Sequence, residues 1–275
     1  MYMALSPGAL GLRVGSLSEA IDLAKSAGYG GVEVGIHEVA SLVDARGAES
    51  VRAMFDEAGV RPAGWGMPVK WNGSEEEWRQ GVDELGRLAK AAQAIGCPRT
   101  MTWVLSGSND RPYEDNRRYH VERFKPIAEV LGAHDCRLGL EFLGPRHIRA
   151  GLKHPFIYKL GDMLELGAEI GPNVGLLLDA WHWYTSEGTL DDLRALRPEH
   201  VVYVHINDAP PGVRIEDHID NQRCLPGATG VIDLVGFLRA LAEIGYDGPV
   251  TPEPFGGPAT WAADGLRRVW EQAGL

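Results

Sequence analysis

Short apolar runs alternate with amphipathic stretches along the whole chain of 275 residues, and this alternation constrains its fold more than any other feature. Such alternation is typical of βα units whose strands lie parallel in one sheet. The apolar runs predict strands at Leu10–Val14, Gly31–Gly35, Arg61–Trp65, Thr100–Leu105, Arg137–Phe142, Val174–Asp179, Val201–Ile206 and Pro249–Glu253.

Helical patterns fill the gaps between these runs. The spacing predicts helices over Ser16–Ala27, Ser74–Ile95 and Ile232–Ile244, each opened by a capping pattern or closed at a glycine turn. Eight strand–helix pairs fit a closed (β/α)8 TIM barrel, and no GxGxxG follows the first strand to favour an open dinucleotide-binding sheet. We find no linker or repeat and therefore expect one domain over residues 1–275.

The charge of the chain excludes several classes of partner. Its formal net charge of −11 at pH 7 argues against nucleic acid and against anionic membrane lipid. Three cysteines without CxxC spacing predict no disulfide framework. The first ten residues lack a signal-peptide pattern, and no apolar stretch reaches 18 residues. We therefore expect a cytoplasmic protein.

Four of the predicted strands end in a residue that can bind a metal. Strand five ends at Glu141, strand six at Asp179, strand seven at His205 and strand eight at Glu253. One such acid is commonly a helix cap or an ion-pair partner, and a lone histidine is commonly an interior residue. Four of them on successive strands would converge at the C-terminal end of the barrel, where barrel enzymes carry their chemistry. Three carboxylates and one imidazole suit Mn²⁺, Mg²⁺ or Co²⁺, and Zn²⁺ as a further choice.

The segments around these residues resemble the xylose-isomerase-like sugar isomerase and epimerase barrels, and among them the inosose (2-keto-myo-inositol) isomerases most. The matching segments are Leu140–Gly144, Leu177–His182, Val204–Asp208, Arg223–Gly227 and Pro252–Glu253.

The resemblance implies a metal site and a proton-transfer pair. The four strand-end residues would bind one divalent ion, Mn²⁺ foremost. Glu141 and Glu253 would be the acid–base pair, and His182 and Arg223 would contact substrate oxygens. The implied substrate is a small keto-sugar or cyclitol, and relatives suggest a homodimer or homotetramer.

This arrangement fits a 1,2-proton transfer through a metal-bound enediolate. The ion would polarise the substrate carbonyl, one glutamate would remove the neighbouring proton, and the other would return it. Further candidates for substrate contacts are Glu33 and His37, which flank the end of strand two, and Trp103 near the end of strand four.

Three other functions stay open. A lyase, either an inosose dehydratase or an enzyme of keto-glycoside β-elimination, would begin with the same proton abstraction. An AP endonuclease is disfavoured, because strands three and four end without histidines and the loop Asp220–Gln222 lacks an Asp-Xaa-His. A non-catalytic sugar-binding subunit would bind substrate without proton exchange.

Overall fold

Eight parallel strands close into a barrel in the computed structural model, which describes residues 1–275. The predicted (β/α)8 TIM barrel is confirmed. We number the barrel strands along the chain as β1 Tyr2–Leu5, β2 Gly31–Glu33, β3 Arg61–Gly66, β4 Arg99–Val104, β5 Arg137–Phe142, β6 Val174–Asp179, β7 Val201–Ile206 and β8 Pro249–Pro252. Each strand pairs with its neighbours in sequence, and β8 pairs with β1 to close the ring.

Helices surround the barrel, and local capping explains several of their ends. The helices are α1 Leu17–Ala27, α2 Ile36–Arg46, α3 Ala48–Ala58, α4 Glu75–Ala94, α5 Tyr113–Gly132, α6 Arg146–Ala150, α7 Leu160–Ile170, α8 Ala180–Thr185, α9 Leu190–Arg194, α10 Leu234–Glu243 and α11 Ala259–Ala273. Ser74 and Glu77 form a reciprocal capping box at the start of α4. None of these helices is both long and apolar enough to span a bilayer.

The prediction for the first strand is wrong. The strand is Tyr2–Leu5, and it pairs with β8 through Tyr2 and Pro249 and with β2 through Ala4 and Gly31. The predicted strand Leu10–Val14 begins at the end of a short 3-10 helix, which Gly11 terminates with φ +68°. A left-handed backbone at Gly11 is incompatible with an extended strand. The other seven predicted strands overlap observed ones, and β5, β6 and β7 have the predicted bounds.

The barrel interior is filled below the C-terminal end of the strands. Ala4, Ala63, Met101 and Leu177 pack there around Tyr203, which is completely buried. A side chain at Gly64 would place its Cβ 2.7 Å from the Tyr203 ring, so the glycine admits this large residue. The Tyr203 ring lies edge-on, 5.6 Å from the ring of His205. Tyr203 therefore forms the floor on which the site at the C-terminal end is built.

Candidate metal centre

The four predicted ligands meet at the C-terminal end of the barrel. Each of Glu141, Asp179, His205 and Glu253 offers one donor atom, and these atoms all lie within 4.8 Å of one another. Asp179 and His205 are register partners on β6 and β7, which places their side chains at one level. We call these residues the four-ligand cluster.

The donor atoms of the cluster lie close to one another. Nδ1 of His205 lies 3.1 Å from Oε2 of Glu253 and 3.6 Å from Oε1 of Glu141. Nevertheless, neither this Nδ1 nor Oε1 of Glu141 has a hydrogen-bond partner, although both atoms are buried. Cations bind nitrogen and oxygen ligands at roughly 2.0–2.6 Å, so such spacings suit donors that share one ion. The residues present therefore fit a divalent metal.

Burial of the carboxylates makes a cation favourable at this centre. Burial raises the pKa of Glu141 to about 8, although His205 beside it works in the other direction. For Glu253, burial is outweighed by the charges of His205 and Arg223, and its pKa is lowered. The raised pKa means that the surroundings of Glu141 carry too little positive charge to stabilise its ionised form. A bound divalent ion would supply that charge.

Asp179 has two roles, which explains why a single strand-end acid is hard to interpret. Its Oδ1 accepts a hydrogen bond of 2.8 Å from the backbone N–H of Trp181 and so caps α8. The same oxygen accepts a bond of 3.2 Å from Nδ2 of Asn207, which is completely buried. Oδ2 is left to face the cluster and Arg223.

Arg223 lies against the cluster, with its side chain only 1% exposed. Its Nη1 is 2.7 Å from Oδ2 of Asp179 and 2.9 Å from Oε2 of Glu253. Nη2 donates to Oδ1 of Asp220 at 2.9 Å, and Nε donates to the carbonyl of Asp220 at 2.8 Å. Asp179, Glu253 and Asp220 together raise the pKa of Arg223 despite its burial, which opposes them, so the guanidinium stays charged.

His182 is a buried neutral imidazole next to the cluster. Its Nδ1 accepts a hydrogen bond of 3.3 Å from the N–H of Gly144, and its Nε2 lies 3.3 Å from Nη2 of Arg223. A guanidinium can only donate, so each ring nitrogen faces a donor. Nε2 is 3.8 Å from Oδ2 of Asp179 and 3.9 Å from Oε2 of Glu141. Burial lowers the pKa of His182 to about 3. His182 therefore presents Nε2 to the centre of the site, beside Arg223.

The structure places the three further candidate residues differently from one another. Oε1 of Glu33 is 3.8 Å from Nε2 of His205, on the side of the ring away from Nδ1. Trp103 is the register partner of Glu141, so its side chain is on the same face of the sheet, and it is 40% exposed. His37 lies on α2 and contacts Glu84 of α4 at 3.5 Å, with its side chain 58% exposed. The structure brings Glu33 to the cluster and gives His37 no contact with it.

Three functional candidates were not predicted from the sequence. Asp208 is buried and accepts backbone hydrogen bonds from Ala209, Thr229, Gly230 and Ile232. Asp220 holds Arg223. The ring of Phe255, a residue with φ +57°, lies 4.3 Å from the Arg223 guanidinium. In the sequence, Asp208 is the last residue of the segment Val204–Asp208 that resembles the family. The signal for an unusual backbone at Phe255 was the pair of glycines that directly follows it, Gly256 and Gly257.

The comparison with protein families agrees with this geometry. The family described as xylose isomerase-like TIM barrel matches residues 21–272. The chain belongs to this family. The resemblance predicted from the strand-end motifs is thereby confirmed at the level of the xylose isomerase-like barrels.

The curated relatives of this xylose isomerase-like chain are named for different activities. The inosose isomerase of Halalkalibacterium halodurans is 23% identical over 214 residues, which cover 75% of the chain and 71% of that protein. The 3-dehydroshikimate dehydratase of Pseudomonas putida is 25% identical over 264 residues, covering 93% of the chain but 39% of that longer protein.

Solved structures show the same barrel. A xylose isomerase domain protein from Alicyclobacillus acidocaldarius matches with a TM-score of 0.87 and 32% identity, and all of both chains is covered. A structure of the IOLI protein with a binding zinc atom matches with a TM-score of 0.77 and 18% identity over 99% of this chain and 98% of that one. The second match, at this identity, shows the fold alone.

Proposed function

We propose that this chain is a divalent-metal-dependent isomerase or epimerase of a small keto-sugar or cyclitol, which acts by 1,2-proton transfer through an enediolate. The convergence of the buried four-ligand cluster at the C-terminal end of the barrel carries the proposal. The inosose isomerase relative from H. halodurans supports the substrate class. Mn²⁺ is the ion that we put first, and the zinc in the IOLI protein keeps Zn²⁺ as an alternative.

In this proposal Glu141 and Glu253 act as the acid–base pair. Their strands, β5 and β8, are separated in the barrel by β6 and β7, so the two carboxylates approach the centre from different directions. One carboxylate would take the proton next to the substrate carbonyl, and the other would return a proton to the second carbon or to the opposite face. The bound ion would supply Lewis-acid polarisation of the carbonyl.

His182 and Arg223 would orient the substrate and stabilise charge. The ring of His182 is oriented by the Gly144 hydrogen bond to Nδ1, so its Nε2 can form a hydrogen bond to a substrate hydroxyl. Arg223 is always charged and can donate to an oxygen that becomes negative during proton transfer. Trp103, partly exposed beside Glu141, would cover the apolar face of the substrate ring.

A lyase of the same family is the second candidate function, because the P. putida relative is named a dehydratase. Proton abstraction next to a carbonyl also begins a β-elimination, so Glu141 and Glu253 would have the same first task. The two functions differ in the next step, in which a leaving group departs instead of a proton returning.

Proton NMR in D₂O separates these functions. The Mn²⁺-loaded protein would be incubated with a panel of ketoses, inososes and 3-keto-glycosides. The sugars would be separated from the paramagnetic Mn²⁺ before the spectra are recorded. An isomerase or epimerase gives deuterated substrate together with an isomeric product, whereas a lyase gives an unsaturated product. A protein that binds these ligands without any exchange of the α-proton contradicts the proposal and favours a sugar-binding role.

A further inference from the structure

Glu33 has a buried oxygen without a partner, directed at the back of His205. The side chain of Glu33 is 18% exposed, but its Oε1 is buried and makes no hydrogen bond. The nearest ring nitrogen is Nε2 of His205, at 3.8 Å. A buried carboxylate oxygen that is left without a donor is unfavourable, so this placement calls for an explanation.

The other oxygen of Glu33 is firmly held. Ser6, which directly follows β1, donates its hydroxyl to Oε2 of Glu33 at 2.6 Å. Glu33 pairs with Gly64 on β3, after a register shift that leaves Ala63 unpaired with β2. Glu33 is therefore oriented by its own neighbours, and Oε1 stays available for His205.

The two nitrogens of His205 face different surroundings. Nδ1 faces Glu141 and Glu253 within the four-ligand cluster, and Nε2 faces Glu33. A histidine binds a metal through an unprotonated nitrogen, so ligation through Nδ1 requires the ring proton on Nε2. Histidine ligands commonly donate this remaining N–H to a carboxylate, which fixes the ring and raises the basicity of the ligand atom.

We infer that Glu33 is a positioning residue that accepts the Nε2–H of His205 and so selects the tautomer with a free Nδ1. The inference rests on the proposed metal-dependent function, and it gives Glu33 a role behind the imidazole rather than on the substrate. The present 3.8 Å is longer than a hydrogen bond. We expect the two atoms to approach each other when Nδ1 binds a cation.

Zinc affinity measured by calorimetry with a competing chelator tests this role without substrate. Glu33→Ala should bind Zn²⁺ about 10–100-fold more weakly than wild type, the usual effect of losing such an acceptor. Glu33→Gln should lose less, because its amide oxygen can still accept from Nε2. Glu84→Ala removes an exposed glutamate of α4 and is the matched control with unchanged affinity. Circular dichroism of the metal-free variants checks that each is folded.

Nitrogen-15 NMR of the zinc-loaded protein gives an independent result on the tautomer. In wild type, His205 should show a protonated Nε2 whose proton exchanges slowly with water, and in Glu33→Ala this exchange should become faster. If Glu33→Ala binds Zn²⁺ within twofold of wild type and retains the slow Nε2–H signal, the role of Glu33 is overturned.

The outcomes also separate this inference from the proposed function. Wild-type protein that binds neither Mn²⁺ nor Zn²⁺ would overturn both. A wild-type protein that binds metal, depends on Glu33 for it and yet exchanges no substrate proton would contradict only the proposed reaction.

Discussion

Nη1 of Arg223 lies 2.7 Å from Oδ2 of Asp179, so a buried arginine is paired with a residue that we expect to bind the divalent ion. The same Nη1 also reaches Oε2 of Glu253 at 2.9 Å. The guanidinium and a metal would therefore neutralise some of the same carboxylates. In the metal-free protein, Arg223 supplies part of the charge compensation that the cluster requires.

Replacement of Arg223 should destabilise the metal-free protein while leaving metal binding intact. Removing one partner of a buried ion pair costs about 3–5 kcal/mol, because the remaining charge is left without compensation. Arg223→Ala should thus show a larger metal-induced rise in Tm than wild type, with near-stoichiometric metal and a much lower kcat/KM. Thermal unfolding with and without Mn²⁺ checks this, and Arg267→Ala, which removes an exposed ion pair with Asp264, is the control. A metal-free Arg223→Ala protein would show that the arginine role is misassigned.

Removal of a cluster ligand, unlike replacement of Arg223, should abolish tight metal binding. Asp179→Ala and His205→Ala each delete one of the four donors, so both should lose tight divalent binding and the stabilisation linked to it. Elemental analysis after gel filtration measures the bound metal. His37→Ala, a change at an exposed histidine of α2, should keep its metal. Full metal content in both cluster variants would be incompatible with the proposed site.

Substitution of Glu141 and of Glu253 should block different steps of the reaction. Glu141→Gln and Glu253→Gln keep an oxygen ligand but remove the proton acceptor, and at least one should lower turnover by about 100-fold or more. The variant that lacks the first base should stop both α-proton exchange and product formation. The other should still exchange the proton with D₂O without completing the isomerisation. For each metal-loaded variant, NMR follows both α-proton exchange and product formation. Near-normal turnover in both variants would contradict the mechanism.

Asp208 should control the loop that carries Arg223. Its carboxylate accepts four backbone N–H groups, two of them from Thr229 and Gly230. A buried donor left unsatisfied costs about 1–3 kcal/mol, so Asp208→Ala should loosen the loop and lower kcat/KM. Limited trypsinolysis should cut this variant faster at Arg214 or Arg223. Asp247→Asn, a change at an acid whose side chain is 90% exposed and which pairs with Arg99 outside this loop, should be cut at the wild-type rate.

Protonation of His120 should lower the free energy of unfolding in mild acid. It is 3% exposed, its Nδ1 donates to the carbonyl of Asn116 at 2.7 Å, and its ring stacks on Phe156. Burial lowers the pKa of His120 to about 4. Between pH 6.5 and 4 the unfolded chain binds a proton that the folded state excludes. The contribution is therefore complete above pH 6.5 and is lost as the pH falls through this window.

The measurement for His120 is the free energy of urea unfolding at pH 6.5 and 4.5. Wild type should lose roughly 2–3 kcal/mol more than His120→Phe over this interval, at about 1.36 kcal/mol per pKa unit. Equal pH dependence of the two proteins would contradict the assignment.

Much of the barrel and its candidate centre was predictable from the sequence because both follow from local patterns. β5, β6 and β7 are apolar runs buried on both faces, and each has the predicted bounds. Parallel strands bring their C-terminal ends to one edge, so Glu141, Asp179, His205 and Glu253 had to lie close together. No knowledge of the loops was needed for that expectation.

Tertiary contacts decided what local patterns leave open. The first strand is Tyr2–Leu5 because pairing with β2 and β8 selects it, and a four-residue run has too little periodicity of its own. Glu33 and His37 are four residues apart, yet one reaches His205 and the other the outer helices. The loop around Arg223 takes its shape from Asp208, whose carboxylate bonds reach up to 24 residues along the chain. Such long-range hydrogen bonds leave no periodic signal in a sequence, so only the folded chain determines which side chains reach the cluster.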